Sequence, residues 1–247
     1  CALPIWISLN YHKHIHSGEG GILFTDDDEL AFRAKLIRNH AESVVGPAGV
    51  TDIGNMIGHN FRMTEMQAAV GVAQLPKLAT IASQRELQGN FLIYELQDLH
   101  GLKVPIIDKN NSHVFYTFAL QIDPSQVRAS KKEIIADLSN HGVPGLSDTY
   151  PLLHLLPIFQ EKIAYGKKGF PWNISESTRM VTYEKGICPV AEEMYDKSFF
   201  HLYLNDYELT QSDLEYITNI FKKLNSTLWL KQNLWVDFNW RRNFNNF

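Results

Sequence analysis

Cysteine is nearly absent from this chain: 247 residues carry only Cys1 and Cys188. Two thiols cannot build a disulfide framework, and a chain of this length can bury a core without such staples, which fits a reducing cytoplasm. An excess of positive charge is lacking too. The formal net charge is −4 with 20% charged residues, so there is no basic surplus to neutralise a phosphate backbone, and nucleic acid is not an expected partner. Long apolar runs are also missing. The opening CALPIWISL is too short for a membrane span and has neither a basic leader nor a small-residue cleavage pattern, so it reads as a buried strand over Ala2 to Leu9. No internal repeat interrupts the chain. With 45% hydrophobic residues, the composition is that of a globular protein.

What is present divides at about residue 100. Ala2 to Leu9 and Gly21 to Phe24 are apolar runs of strand length. Asp26-Asp27-Asp28 then opens a helix with Leu30, Phe32, Leu36 and Ile37 along one face, and Arg38 and His40 lie at its exit, where the helix dipole favours cations. Thr64-Glu65-Met66-Gln67 is a capping-box pattern that opens a second helix, which Pro76 ends or bends. The spacing of Leu78, Ile81, Leu92, Leu96 and Leu99 predicts a third, long helix stopped by His100-Gly101. The domain boundary is placed there.

Beyond it, His113 to Ile122 is a β-branched and aromatic strand. A capping box at Ser130 to Glu133 opens a helix, Phe199 to Leu204 is a strand, and Thr210 caps a last helix. Strand, helix, strand, helix gives a small α+β domain over 101–228. Tyr150 to Glu193 is a loop-rich passage, and residues 229–247 form an aromatic and asparagine-rich tail of unknown role.

The chemically dense stretch is SLNYHKHIHSGEGGILFT, Ser8 to Thr25, which packs three histidines, a lysine and a glycine-rich turn together. Three readings compete for it. In an extended chain His12, His14 and His16 would point to one face and could approach a metal, but no Cys, Asp or Glu at ligand spacing completes the shell. A second reading is a polar loop whose histidines satisfy backbone groups. The third is a nucleophilic lysine: imine formation needs a neutral amine, and burial or cationic neighbours would disfavour the charged form of Lys13.

The pattern Ser8-x4-Lys13-x4-Gly18-Glu19-Gly20-Gly21, followed by a strand, an acidic turn, a helix and Arg38-Asn39-His40, resembles the lysine segment of the DegT/DnrJ/StrS family of pyridoxal-phosphate-dependent sugar aminotransferases. Gly58-His59-Asn60-Phe61-Arg62-Met63-Thr64 continuing into Gln67-Ala68-Ala69 resembles a second segment of that family. Tyr150-Pro151-Leu152-Leu153-His154 and Cys188-Pro189-Val190-Ala191-Glu192 follow in familiar order. The resemblance runs from about Ile7 to about Leu224.

It implies an α/β fold, a fold type I transferase with an incomplete large domain over 1–100 and the small α+β carboxy-terminal domain. The cofactor would be pyridoxal 5'-phosphate, linked covalently to Lys13, which would also move the proton between cofactor and substrate carbons. Ser8 would bind the cofactor phosphate, and Asn60 would reach the phosphate held by the neighbouring subunit of a homodimer. Arg62 and His154 would contact the sugar nucleotide. No metal is implied. The implied reaction transfers an amino group from glutamate or glutamine to a keto sugar nucleotide or a cyclitol, in cytoplasmic sugar or cell-surface polysaccharide biosynthesis.

Leu9 and Asn10 stand where the family usually has an aromatic and a histidine. The resemblance also implies that a preceding part of the large domain supplies the phosphate-gripping helix start, the aromatic that stacks on the cofactor ring and the aspartate that pairs with its nitrogen. Two alternatives stay open: a related dehydratase, in which a histidine replaces the lysine, and a catalytically incomplete fragment.

Overall fold

The structure, a computed structural model, describes residues 4–41, 56–148 and 150–229. The expected aromatic tail, apart from Trp229, lies outside the described residues. Packing divides the chain into two compact units that meet in sequence at Gln84 and Arg85.

The first unit opens with a hairpin. Strand β1 (Ile5–Ser8) pairs antiparallel with β2 (Gly21–Phe24), in the register Ile5 opposite Phe24 and Ser8 opposite Gly21. Both strands form where the apolar runs predict them, but β1 is not buried: Trp6 is 64% and Ile5 62% exposed. The sheet has only these two strands among the described residues, so neither face is covered as the faces of a larger sheet would be.

Helix α1 (Asp28–Arg38) starts at Asp27, whose carboxylate accepts the Leu30 amide at 3.0 Å, and carries Lys35 and Arg38 in its last turn. Of its expected apolar face only Leu36 is buried, while Leu30 and Ile37 remain exposed. Helix α2 (Glu65–Gln74) has the predicted capping box. Thr64 Oγ1 accepts the Gln67 amide at 3.2 Å, and Gln67 Oε1 accepts the Thr64 amide at 3.0 Å. Pro76 falls in a 3₁₀ turn over Leu75–Lys77 that follows α2 and leads directly into α3 (Leu78–Leu96).

Helix α3 runs past the division between the units. Its buried residues Arg85, Gly89, Leu92 and Leu96 recur at helical spacing, and Leu92 and Leu96 belong to the second unit's core. The helix stops near His100-Gly101 as its sequence predicts, with Gly101 at φ +72°. The packing unit nonetheless begins earlier, at Arg85, because from that point the inner face of the helix serves the second core.

That core is built on a four-stranded antiparallel sheet. Its order is β3 (Leu102–Lys103), β4 (Phe118–Ile122), β6 (Phe199–Leu202) and β5 (Leu146–Ser147). Phe118, Leu120 and Ile122 alternate inward on β4, and β6 adds Phe200 and Leu202. Helix α4 (Lys131–Asn140) contributes Ile134 and Leu138. Before β6 come three short helices: α5 (Pro157–Gln160), α6 (Glu176–Met180) and α7 (Pro189–Glu193). After it, α8 (Gln211–Leu224) contributes Leu214, Ile217, Ile220, Phe221 and Leu224. The capping box predicted at Ser130 forms, and the cap predicted at Thr210 forms as a capping box with Asp213. Burying a single Phe, Leu or Ile side chain contributes roughly 1.5–3 kcal/mol, so this cluster is the main source of the unit's stability.

The predicted strand from His113 is shorter than its composition suggests. Phe115 sits at φ +45°, and its amide donates to His113 Nδ1 at 2.9 Å, so a turn occupies the first half and β4 starts only at Phe118. The Phe115 ring is fully buried against Gly89, where a Cβ would lie 2.3 Å from it. Gly89 is therefore the gap in α3 that admits the ring.

Candidate active site

The lysine stretch forms the connection between β1 and β2 and is closed at its base. Leu9 donates its amide to the Gly20 carbonyl at 2.9 Å, and Ser17 donates to the Leu9 carbonyl at 3.0 Å. Asn10 Nδ2 donates to both carboxylate oxygens of Glu19, at 2.7 and 2.8 Å. Leu9, Ile15 and Ser17 are buried beneath the loop. Asn10, standing where the resembled family has a histidine, thus works here as a loop clamp.

Residues 11–15 are turns, with the Lys13 amide bonded to the Asn10 carbonyl at 2.9 Å. They are not extended, so the alternation that would align His12, His14 and His16 on one face does not arise. Among the described residues no group of three or more His, Cys, Asp or Glu is placed to hold a metal ion. Lys13 is half-buried in this loop. Ser8, also half-buried, ends β1 and accepts the Asn10 amide at 3.3 Å. Ser8 and Lys13 are therefore brought into one closed hairpin loop.

Asn60 and Arg62 lie on a second segment of the same unit, held against the end of α1. The His59 amide donates to the Ile37 carbonyl at 2.7 Å, the His40 amide to the His59 carbonyl at 3.1 Å, and the Phe61 amide to the Arg38 carbonyl at 3.1 Å. This approach needs glycine at 58, because a Cβ there would lie 2.2 Å from the Ala41 nitrogen. Gln67 Nε2, in the first turn of α2, donates to the Glu19 carbonyl at 3.1 Å. The second segment is thereby tied to the glycine turn of the lysine loop. Asn60 and Arg62 themselves are exposed.

His154 belongs to the second unit, in a 3₁₀ turn over Leu153–Leu155. Its ring Nε2 lies 2.8 Å from Glu192 Oε1, and the two side chains are only 10% and 7% exposed. Glu192 also accepts the Gly186 amide, at 2.8 Å to each oxygen, and the Cys188 amide at 3.3 Å. The Gly186 N–H, then the bond from His154, hold its carboxyl below the usual carboxylate range against the opposing effect of burial. The sequence motifs around Tyr150–His154 and Cys188–Glu192 are thus joined by one side-chain hydrogen bond. Glu192 was visible in the second motif, but nothing in its sequence neighbourhood identified His154 as its partner.

A profile of the DegT/DnrJ/EryC1/StrS aminotransferase family matches residues 6–198. The chain belongs to that family. Among curated relatives, the spore coat polysaccharide biosynthesis protein SpsC of Bacillus subtilis is 27% identical over 165 residues, covering 64% of this chain and 42% of that protein. The dTDP-3-amino-3,4,6-trideoxy-alpha-D-glucose transaminase of Micromonospora megalomicea is 31% identical over 137 residues, covering 54% of this chain and 34% of that one. The crystal structure of DesV from S. venezuelae superposes with a TM-score of 0.68 at 20% identity, over 91% of this chain and 52% of that one. The last likeness shows the fold alone, the mixed α/β fold of the fold type I transferases. The chain spans about half the length, or less, of the relatives it matches.

Proposed function

We propose that the complete protein to which this chain belongs is a sugar aminotransferase. It moves an amino group from glutamate or glutamine to a keto sugar nucleotide or a cyclitol, in cytoplasmic biosynthesis of a sugar or cell-surface polysaccharide. The observation that carries this reading is the closed loop of Ser8 to Gly21, which holds a half-buried lysine next to a strand-end serine in a member of an aminotransferase family. The relatives' names support a sugar substrate: one is a transaminase of a dTDP-linked aminosugar, another a polysaccharide biosynthesis protein.

The side chains present fit pyridoxal 5'-phosphate by their chemistry. Lys13 offers a primary amine for the cofactor's aldehyde, and Ser8 and Asn60 offer a hydroxyl and an amide for its phosphate. When bound, the cofactor supplies an electron sink that an amino-acid side chain cannot. The protein supplies position and proton transfer. Lys13 Nζ would hold the cofactor, and the same amine would serve as the proton carrier of the reaction. The bonds from Asn10 to Glu19 and from Leu9 to Gly20 fix the base of the loop that carries it. Arg62, on the segment tied to this loop, and His154, on the second unit, contact the sugar nucleotide.

Asn60 serves the phosphate of the neighbouring subunit, which makes the working unit a homodimer. Apolar side chains exposed on α2 and just before it, among them Ile57, Met66 and Val72, agree with a surface that is covered in the assembled protein.

Borohydride reduction of the complete, cofactor-loaded protein followed by peptide mapping tests the assignment. The phosphopyridoxyl group is expected on Lys13, and Lys13→Ala is expected to lower transamination by about a thousandfold or more, in the range that loss of a positioned proton-transfer group produces. A label on another lysine overturns it. Mixing Lys13→Ala chains with Asn60→Ala chains is expected to restore part of the activity, and mixed dimers with none would refute the shared site.

A further inference from the structure

His154 has two ring nitrogens, and the structure commits one of them. Nε2 faces Glu192 Oε1 at 2.8 Å in a nearly buried pair. An ionised carboxylate only accepts hydrogen bonds, so Nε2 must carry the proton in this contact. In a neutral ring that leaves Nδ1 without a proton, as an acceptor. Glu192 is itself fixed, since its oxygens also take the amides of Gly186 and Cys188. The His154 backbone is fixed as well, because its carbonyl accepts from Gln160 Nε2 at 2.6 Å, and the same amide group donates to the Tyr183 carbonyl at 2.6 Å.

The bonds to Glu192 satisfy a carboxylate that is buried. A serine or an amide at 192 could cap the same amides, but only a carboxylate also dictates which imidazole nitrogen keeps the proton. This is the arrangement in which a second residue sets the tautomer of a histidine whose other nitrogen is used.

We propose that Glu192 is a positioning residue for substrate recognition: it holds the His154 ring with its proton on Nε2, so that Nδ1 is presented as an acceptor for a hydroxyl of the sugar. The proposal rests on the reading of His154 as a substrate contact. It adds that the group recognised is a hydrogen-bond donor, and that a sugar lacking the hydroxyl at that position is selected against. Glu192 touches no substrate atom and acts only through the ring.

The test uses the complete holoenzyme and reads the ring directly as well as the reaction. Nitrogen chemical shifts of labelled histidine are expected to show the neutral His154 ring in the Nε2–H form. In Glu192→Gln, whose amide can also donate, the ring is expected to become a mixture of tautomers. The same variant is expected to raise KM for the keto sugar nucleotide about five- to tenfold, the size of one hydrogen bond, while the half-reaction with the amino donor keeps its rate. Glu192→Asp, which keeps the carboxylate, is expected to recover part of the loss.

His154→Gln and His154→Asn separate the two layers of the reading. Asn places a polar atom near the Nδ1 position and Gln near Nε2, so Gln is expected to lose the sugar contact and Asn to keep part of it. If His154→Gln leaves KM for the sugar unchanged, His154 is no substrate contact and the proposal falls with that reading. If His154→Gln raises KM but Glu192→Gln changes neither KM nor the tautomer, only the positioning role is refuted. An Nδ1–H ring in the unaltered protein refutes it without any variant, even where Glu192→Gln fails to fold.

Discussion

Trp6 on β1 and Phe118 on β4 are both large apolar residues on antiparallel strands, yet one is 64% exposed and the other fully buried. The contrast holds for their units. Among the described residues, the first unit buries Leu9, Ile15, Leu36 and Ala41, whereas the second gathers a continuous cluster from α3, β4, β6, α4 and α8. The unit with the core holds itself together by hydrophobic burial. The unit with the lysine is held by backbone bonds, a clamped loop and close approach of chain to chain. Loops positioned by polar contacts are the usual place for chemistry, because they can present a side chain that a core would have to enclose.

Substitutions of similar size should separate the two. Phe118→Ala is expected to cost about 3–5 kcal/mol in denaturant unfolding, whereas Trp6→Ala should change the stability of this chain by less than about 0.5 kcal/mol. Comparable losses would mean that the hairpin is buried in the chain as it folds, and the comparison would fail.

Gly58→Ala probes the first unit where it is tightest. A Cβ would press on the Ala41 nitrogen from 2.2 Å, so the segment carrying Asn60 and Arg62 must move away from α1. A loss of about 1–3 kcal/mol is expected, as for other overpacked sites. Amide exchange of His40, His59 and Phe61 should quicken, while the β4–β6 amides stay protected. Unchanged exchange at those three amides would show that their bonds do not brace the segment.

The smallest effect is a pH dependence, and it belongs to the second unit. His201 on β6 is fully buried, and neither ring nitrogen has a hydrogen-bond partner. Tyr203 stands edge-on to it at 4.6 Å, with Tyr150 and Phe199 at 5.4 and 5.5 Å. Burial lowers its pKa, and the nearby Asp148 opposes the shift only in part. The unfolded chain therefore takes up this proton first, once the pH falls below the ordinary histidine value of about 6.5. Stability is full above that pH and declines as the pH drops toward the folded value.

Glu192, whose carboxyl is lowered chiefly by the Gly186 N–H, adds a second loss of the same sign below about pH 4.3, the ordinary value for Glu. His201→Phe should flatten the slope of thermal midpoint against pH that begins below about 6.5 and leave the one due to Glu192 in place. A slope that persists unchanged would assign it to other groups.

Much of the molecule could be read in one dimension because the signals are local. The capping boxes at Thr64, Ser130 and Thr210 are complete within four residues, and each one forms. The alternation in β4 and the periodicity of α8 are short-range patterns as well. The lysine segment was legible for a different reason: its serine, lysine, glycines and acid at fixed offsets resemble the lysine segment of the aminotransferase family.

Other features depended on groups far apart in the chain. The first half of the predicted strand at His113 became a turn with Phe115 packed against Gly89, twenty-six residues earlier by their numbers. The strand run of β1 looked buried but lies exposed, because burial depends on what covers a face and not on the residues within it. His154 and Glu192 are thirty-eight residues apart and meet only in the fold. The sequence alone therefore determined the elements, their caps and the lysine loop, since those are decided by interactions within a turn or two. Only the tertiary structure decided which glycine admits a ring or a backbone, which apolar face is covered and which carboxylate holds the histidine, because each depends on side chains that sequence distance does not relate.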